Sequence, residues 1–127
     1  MIRTMGRKKS THPTLSDEAL QLVAARFRTL GDPTRLRIVN TLMQGESSVR
    51  DLVETMELEQ PNVSRHLALL RREGIVERRA DGNRALYQIN DPTVVELCRI
   101  ACAGLAGQLV ETLESLPRER MWNGDGI

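Results

Sequence analysis

Leu58-Glu59-Gln60-Pro61-Asn62-Val63-Ser64-Arg65-His66-Leu67-Ala68-Leu69-Leu70-Arg71-Arg72-Glu73-Gly74-Ile75-Val76 decides the fold. Val63, Leu67 and Leu70 recur at helical spacing and form one apolar face. Gln60, Asn62, Ser64, Arg65 and His66 crowd the N-terminal, outer part of the same helix, where they can donate to and accept from base edges and phosphates. Gly74 stops the helix. Ile75-Val76-Glu77-Arg78-Arg79 and Arg84-Ala85-Leu86-Tyr87-Gln88-Ile89 then read as two strands around an Asp81-Gly82 hairpin signal. A polar-fronted helix followed by an arginine-bearing ribbon is the arrangement of a DNA reader.

Working outward, the segment before the reading helix is helical throughout. Ser16-Asp17-Glu18 is a helix start, a hydroxyl cap with acids in the first turn. Leu20, Val23, Ala24, Phe27 and Leu30 follow at helical spacing, and Gly31 ends that helix. Asp32-Pro33 opens the next, with Pro at the first helical position. It runs to about Gln44 with Leu36, Val39, Leu42 and Met43 expected inward. Ser48-x-x-Asp51 resembles a capping box for a short third helix whose inner face is Val49, Leu52, Val53 and Met56. Glu57-Leu58-Glu59 is the turn into the reading helix.

Beyond the ribbon, Asp91-Pro92 repeats the Asp-Pro helix start. A long helix extends to about Leu116 with Val94, Val95, Cys98, Ala101, Cys102, Leu105, Leu109 and Leu113 on its apolar stripe. That stripe exceeds what so small a core can cover. With the first helix it predicts a surface where two copies meet. The fold class is therefore mainly α with a β-hairpin wing: a winged helix-turn-helix in the order α-α-α-α-β-β-α, as a homodimer. Residues 1–15 are expected to be a disordered basic arm, 16–116 the DNA-binding and dimerisation domain, and 117–127 a C-terminal tail.

Composition narrows the function classes. The chain has 127 residues with one Trp, one Tyr and one Phe, so its core must be aliphatic. A formal net charge of +1 conceals segregation: residues 60–90 carry six basic against three acidic side chains, and residues 91–127 three against six. The basic face falls on the reading helix and ribbon, which is a footprint for a polyanion. No apolar run is long enough to span a bilayer, and the Met1–Lys9 start lacks the apolar stretch of a secretory signal, so the expected location is cytoplasmic. There the two cysteines would be thiols and not a structural bridge.

The combined pattern resembles the ArsR/SmtB family of winged-helix repressors over about residues 20–110. The pieces are Phe27-x-x-Leu30-Gly31-Asp32-Pro33-x-Arg35-Leu36-x-Ile38, Val49-x-Asp51-Leu52 and Gln60-Pro61-x-Val63-Ser64-x-His66-Leu67-x-x-Leu70-x-x-Glu73-Gly74-Ile75-Val76. The ribbon Arg78-Arg79-x-Asp81-Gly82-x-x-x-x-Tyr87 and Asp91-Pro92 complete it. The resemblance implies a homodimer on an imperfect inverted repeat in double-stranded operator DNA, with repression relieved by an inducer. Gln60, Asn62, Ser64, Arg65 and His66 would face the major groove, and Arg78, Arg79 and Arg84 would lie on the wing near phosphates or the minor groove. This chain departs from the family pattern at Glu59, where Ser is common.

Two metal-ligand sets of the family are missing from the sequence. Where a cysteine pair opens the third helix in some members, this chain has Glu46-Ser47-Ser48-Val49-Arg50-Asp51-Leu52, and Ser48 and Arg50 offer soft ions nothing. The Asp, His and Glu set of the last helix also fails, because the histidines are His12 and His66. Cys98 and Cys102 remain, four residues apart on one side of the last helix. In a dimer they could gather four sulfurs for a thiophilic metal or metalloid ion. They could equally form disulfide or persulfide bonds between subunits, or simply pack as small apolar side chains. The sequence leaves these open, together with an effector-independent repressor and a winged-helix protein–protein interaction module. An oxidoreductase is disfavoured, since no Cys-x-x-Cys sits at a helix N-terminus.

Overall fold

Ser16 caps the first helix by accepting from the Ala19 N–H at 3.1 Å, so α1 runs Asp17–Leu30. Asp32 does the same for α2 (Pro33–Leu42), accepting from Arg35 N at 3.1 Å with Pro33 behind it. Ser48 caps α3 (Val49–Met56) through Asp51 N. The reading helix α4 is Gln60–Arg72, and α5 is Pro92–Ser115. These are features of a computed structural model that describes residues 14–115, with side chains through 108. The arm at 1–13, the tail at 117–127 and the side chains of Leu109 and Leu113 lie outside the described residues.

Gly74 ends α4 by geometry as well as by type. Its φ is +77°, its N–H bonds the Arg71 carbonyl at 3.0 Å, and Ile75 N bonds the Leu70 carbonyl at 2.9 Å. This is the Schellman pattern, and the Leu70 and Ile75 side chains that accompany it are fully buried. The chain leaves that turn directly into β2 (Val76–Asp81), which pairs antiparallel with β3 (Arg84–Ile89).

Two sequence expectations about the sheet are corrected. Asp81 pairs with Arg84 at the end of the ladder, so the hairpin loop is Gly82-Asn83 and not Asp81-Gly82. Gly82, at φ +65°, supplies the positive dihedral there. Ser47–Ser48 forms an extra strand, β1, pairing with Tyr87 and Leu86 to give the sheet order β1-β3-β2.

The core is aliphatic, as the composition requires. Leu30, Ile38, Val39, Leu42, Leu52, Met56, Val63, Leu67, Leu70, Ile75, Val76 and Val94 form one buried cluster. Leu36 and Met43, expected inward, are each 38% exposed. Seven residues apart, they share one side of α2, beside the buried Ile38, Val39 and Leu42. The stripe of α1 is likewise open, with Leu20, Val23 and Phe27 at 49%, 39% and 56% exposure. On α5, Val94 reaches the core, but Ile100 and Leu105 are 65% and 50% exposed.

Candidate nucleic-acid interface

With Val63, Leu67 and Leu70 facing inward, the 100° step of a helix puts Pro61, Arg65, Ala68 and Arg72 on the opposite, outermost line of α4. All four are exposed. Ser64 flanks this line on one side and Asn62 on the other, while Gln60, exposed at the first turn, falls nearer the inward face. Arg65 is thus the most forward of the residues expected to touch bases. Its Nη2 donates to Asn62 Oδ1 at 2.6 Å, which steadies the guanidinium along the helix. Pro61 and Ala68 were not singled out in the sequence; counting turns from Arg65 would have found them.

His66 turns back from this front. It is half-buried, and Arg35 Nη1 donates to its Nδ1 at 3.2 Å, which leaves the ring proton on Nε2. Burial pushes the His66 pKa below its ordinary 6.5; the Asp32 carboxylate opposes this, while Arg35 and Arg65 reinforce it. The imidazole is therefore a neutral packing group with one donor left. Asp32, held by backbone N–H groups and Arg35, stays ionised below the usual carboxylate range.

At the N-terminus of α4, Glu59 makes no side-chain capping bond. Asn62 N and Val63 N both bond the Glu59 carbonyl at 3.1 Å and Pro61 has no N–H, so the missing side-chain cap leaves only the Gln60 N–H of the first turn without an intrahelical partner.

The wing does not bring its three arginines together. Strand alternation puts Arg78 on the face of Val76 and Tyr87, and Arg79 on the face of Leu86, with Arg84 diagonal to it. Arg79 is clasped by Glu46: Nε to Oε2 at 3.0 Å and Nη2 to Oε1 at 2.5 Å. This pair lowers the Glu46 pKa and raises that of Arg79, so both stay charged. Arg84 lies 3.6 Å from Asp81. Arg84 and Ala85 also line an open groove with Ser48, Val49, Arg50 and Asp51 at the start of α3.

The alternative sensing positions are also placed. The Ser48 hydroxyl is engaged as the α3 cap, and Arg50 lies 3.6 Å from Glu54. Among the described residues no three His, Cys, Asp or Glu side chains are grouped to hold a metal. Cys98 is half-buried against the core, whereas Cys102 is exposed. Burial, and to a lesser degree Cys102, pushes the Cys98 thiol above its ordinary 9.0. No described helix is long and apolar enough to cross a membrane.

Residues 32–78, from the cap of α2 to the middle of β2, match the model of the bacterial regulatory protein, arsR family. An HTH-type transcriptional regulator of Mycobacterium tuberculosis, Rv0081, is 39% identical over 105 residues, which cover 80% of this chain and 92% of the relative. The chain belongs to the ArsR family. As an ArsR-family member it is a DNA-binding transcriptional regulator and not an enzyme. A probable mercury resistance operon repressor of Streptomyces lividans is 37% identical over 91 residues, 72% of this chain and 67% of that one. The crystal structure of Rv0081 superimposes with a TM-score of 0.70 over 77% of this chain and 99% of that chain, at 37% identity. The winged-helix topology expected of the ArsR resemblance is thus the fold observed, with the small β1 added.

Proposed function

We propose that this ArsR-family regulator is a homodimeric repressor, paired through α1 and α5, that reads operator DNA with the forward line of α4 and the wing. The observation that carries this reading is the separation of its surfaces. Exposed Arg65 and Arg72 front one side of α4, while Leu20, Phe27, Ile100 and Leu105 leave apolar faces on two helices outside the reading motif. Apolar area of that kind marks an interaction surface. On α5 it is interleaved with Ala101, Ala103, Gly104, Ala106 and Gly107, whose small side chains allow two helices to approach closely. In the groove, Arg65 would supply the directional base contact and the Ala68 methyl an apolar one, while Asn62, Gln60 and Ser64 would bond base edges or phosphates. His66 would offer Nε2–H at the edge of the contact. Arg78, Arg79 and Arg84 would meet phosphates from the wing.

An effector would act through Cys98 and Cys102. The support is their placement: one thiol against the core, the other exposed one turn later on the proposed dimer helix. A thiophilic ion would displace the protons of these thiols, and a thiol oxidant or persulfide would modify them instead. The S. lividans relative named as a mercury resistance repressor is consistent with the former. A repressor without an effector is the second reading, favoured by the packing of Cys98 on the core.

The experiment is operator binding by the purified, reduced chain in rising salt, on a duplex selected from random sequence. The reading requires a preference for that duplex and a steep loss of affinity with salt. Equal weak binding to every duplex refutes it. Cadmium, arsenite or persulfide should then release the wild type but not the Cys98→Ser/Cys102→Ser double variant. Release of the double variant as well rules out the thiols as sensors.

A further inference from the structure

Arg26, near the end of α1, reaches two elements that are distant in sequence. Its Nη2 donates to the carbonyl of Glu73, the residue that closes the reading helix, at 3.2 Å. Its Nη1 lies 3.7 Å from a carboxylate oxygen of Asp91. Asp91 in turn starts α5, accepting from Thr93 N at 3.0 Å and Thr93 Oγ1 at 2.6 Å. One turn after Arg26, Thr29 is 4% exposed and donates to Glu73 Oε2 at 2.7 Å. Glu73 is therefore gripped through both its main chain and its side chain from α1. Thr29 continues the connection, since its carbonyl accepts from Arg35 Nε at 2.7 Å, and Arg35 donates to His66.

Most of what holds α4 is aliphatic burial, which is non-directional. The contacts at Glu73 are directional and come from outside the helix-turn-helix. Arg26 Nη1 is buried without a hydrogen bond, and among the described residues the carboxylate that pairs with it is Asp91, 3.7 Å away at the α5 start. A buried donor in that state gains from any movement that brings Asp91 closer. A guanidinium fork can engage two elements at once; an ammonium cannot do so in the same plane.

The geometry points to Arg26 as a positioning residue of the reading head, transferring the placement of the α1/α5 seam onto the C-terminal end of α4. This rests on the reading of α1 and α5 as the surface that pairs two chains. In a paired molecule, the distance and angle between the two copies of α4 then depend on Arg26 as well as on the seam itself. A contact that only stabilised the fold would affect each head alone. A contact that sets the spacing of two heads affects only their simultaneous engagement.

The test compares a full inverted-repeat duplex with a duplex carrying one half-site, both from the selected operator. The full-length chain is used as wild type, Arg26→Met, Arg26→Lys and Asp91→Asn. Asn keeps the α5 cap and removes the charge, so this variant carries the test even where Arg26→Met melts early. Full-site affinity is expected to fall about tenfold in Arg26→Met and less in Asp91→Asn, with half-site affinity within about twofold of wild type and the dimer fraction unchanged. Arg26→Lys is expected to behave like Arg26→Met. Full-site affinity unchanged in both Arg26→Met and Asp91→Asn overturns the proposal. So does a parallel loss on the half-site, which would assign Arg26 to local folding. A wild type that gains nothing from the second half-site instead removes the dimeric reading beneath it.

Discussion

At the scale of single residues, the forward line of α4 ranks the contributions to reading. Arg65 is exposed, central and steadied by Asn62. Its truncation to Ala is expected to cost about 1–3 kcal/mol of discrimination on the selected operator, the worth of one good bidentate base contact. Fluorescence anisotropy on matched and single-mismatch duplexes measures it, and an unchanged mismatch penalty would take Arg65 out of the groove. His66 bonds Arg35 through Nδ1 and is half-buried, which makes it a joint between α2 and α4 with Nε2–H left as a donor. Because its folded pKa lies below its unfolded value of 6.5, the neutral ring contributes stability that is complete above that value. The contribution is lost as pH falls through the folded pKa, when Nδ1 gains a proton facing Arg35. Wild type is therefore expected to lose more melting temperature than His66→Gln between neutral pH and pH about 5, a range set by that ordinary His pKa. Equal losses would show that His66 does not titrate in the fold.

At the scale of elements, the helix ends were legible because capping is local chemistry. Ser16, Asp32 and Ser48 each accept the N–H three residues on, and Gly74 adopts the positive φ that its type suggested. The hairpin was located but its loop was misplaced by one residue, since Asp81-Gly82 and Gly82-Asn83 are both acceptable turn pairs by composition and only the ladder register separates them. β1 was illegible: two serines carry no period, and their strand exists because β3 has a free edge beside them. The exposed Leu36 and Met43 mark a limit of periodicity, which reports an apolar stripe without reporting what covers it. One element is under-built. The N-cap of α4 is Glu59, without a capping bond. Glu59→Ser is expected to stabilise the domain by about 0.5–1 kcal/mol through the cap. It is also expected to tighten DNA binding by removing a negative charge from the reading front. Urea unfolding and anisotropy check the two effects, and a variant no more stable than wild type would show that Ser cannot cap at this angle.

At the scale of the molecule, the chain is a small aliphatic core with two unlike surfaces. The charge segregation that placed a basic front at residues 60–90 was readable from the sequence. The junction of Arg26, Glu73 and Asp91 was not, because it joins three elements that only the fold brings together. The wing's division of its arginines between two faces also emerges only from the register, which puts Arg78 on one face and Arg79 and Arg84 on the other. Phe27, more than half exposed on α1, is the largest apolar side chain on the proposed seam. Phe27→Glu is expected to leave the fold intact, since the ring is outside the core, and to separate the copies.

Sedimentation equilibrium of the protein with its selected full-site duplex puts the pairing of two reading heads to the test. Two chains per duplex for wild type, and loss of that complex in Phe27→Glu with the secondary structure retained, is the result expected. A wild-type complex saturating at one chain per full-site duplex, or a Phe27→Glu variant that still binds as two, would contradict it.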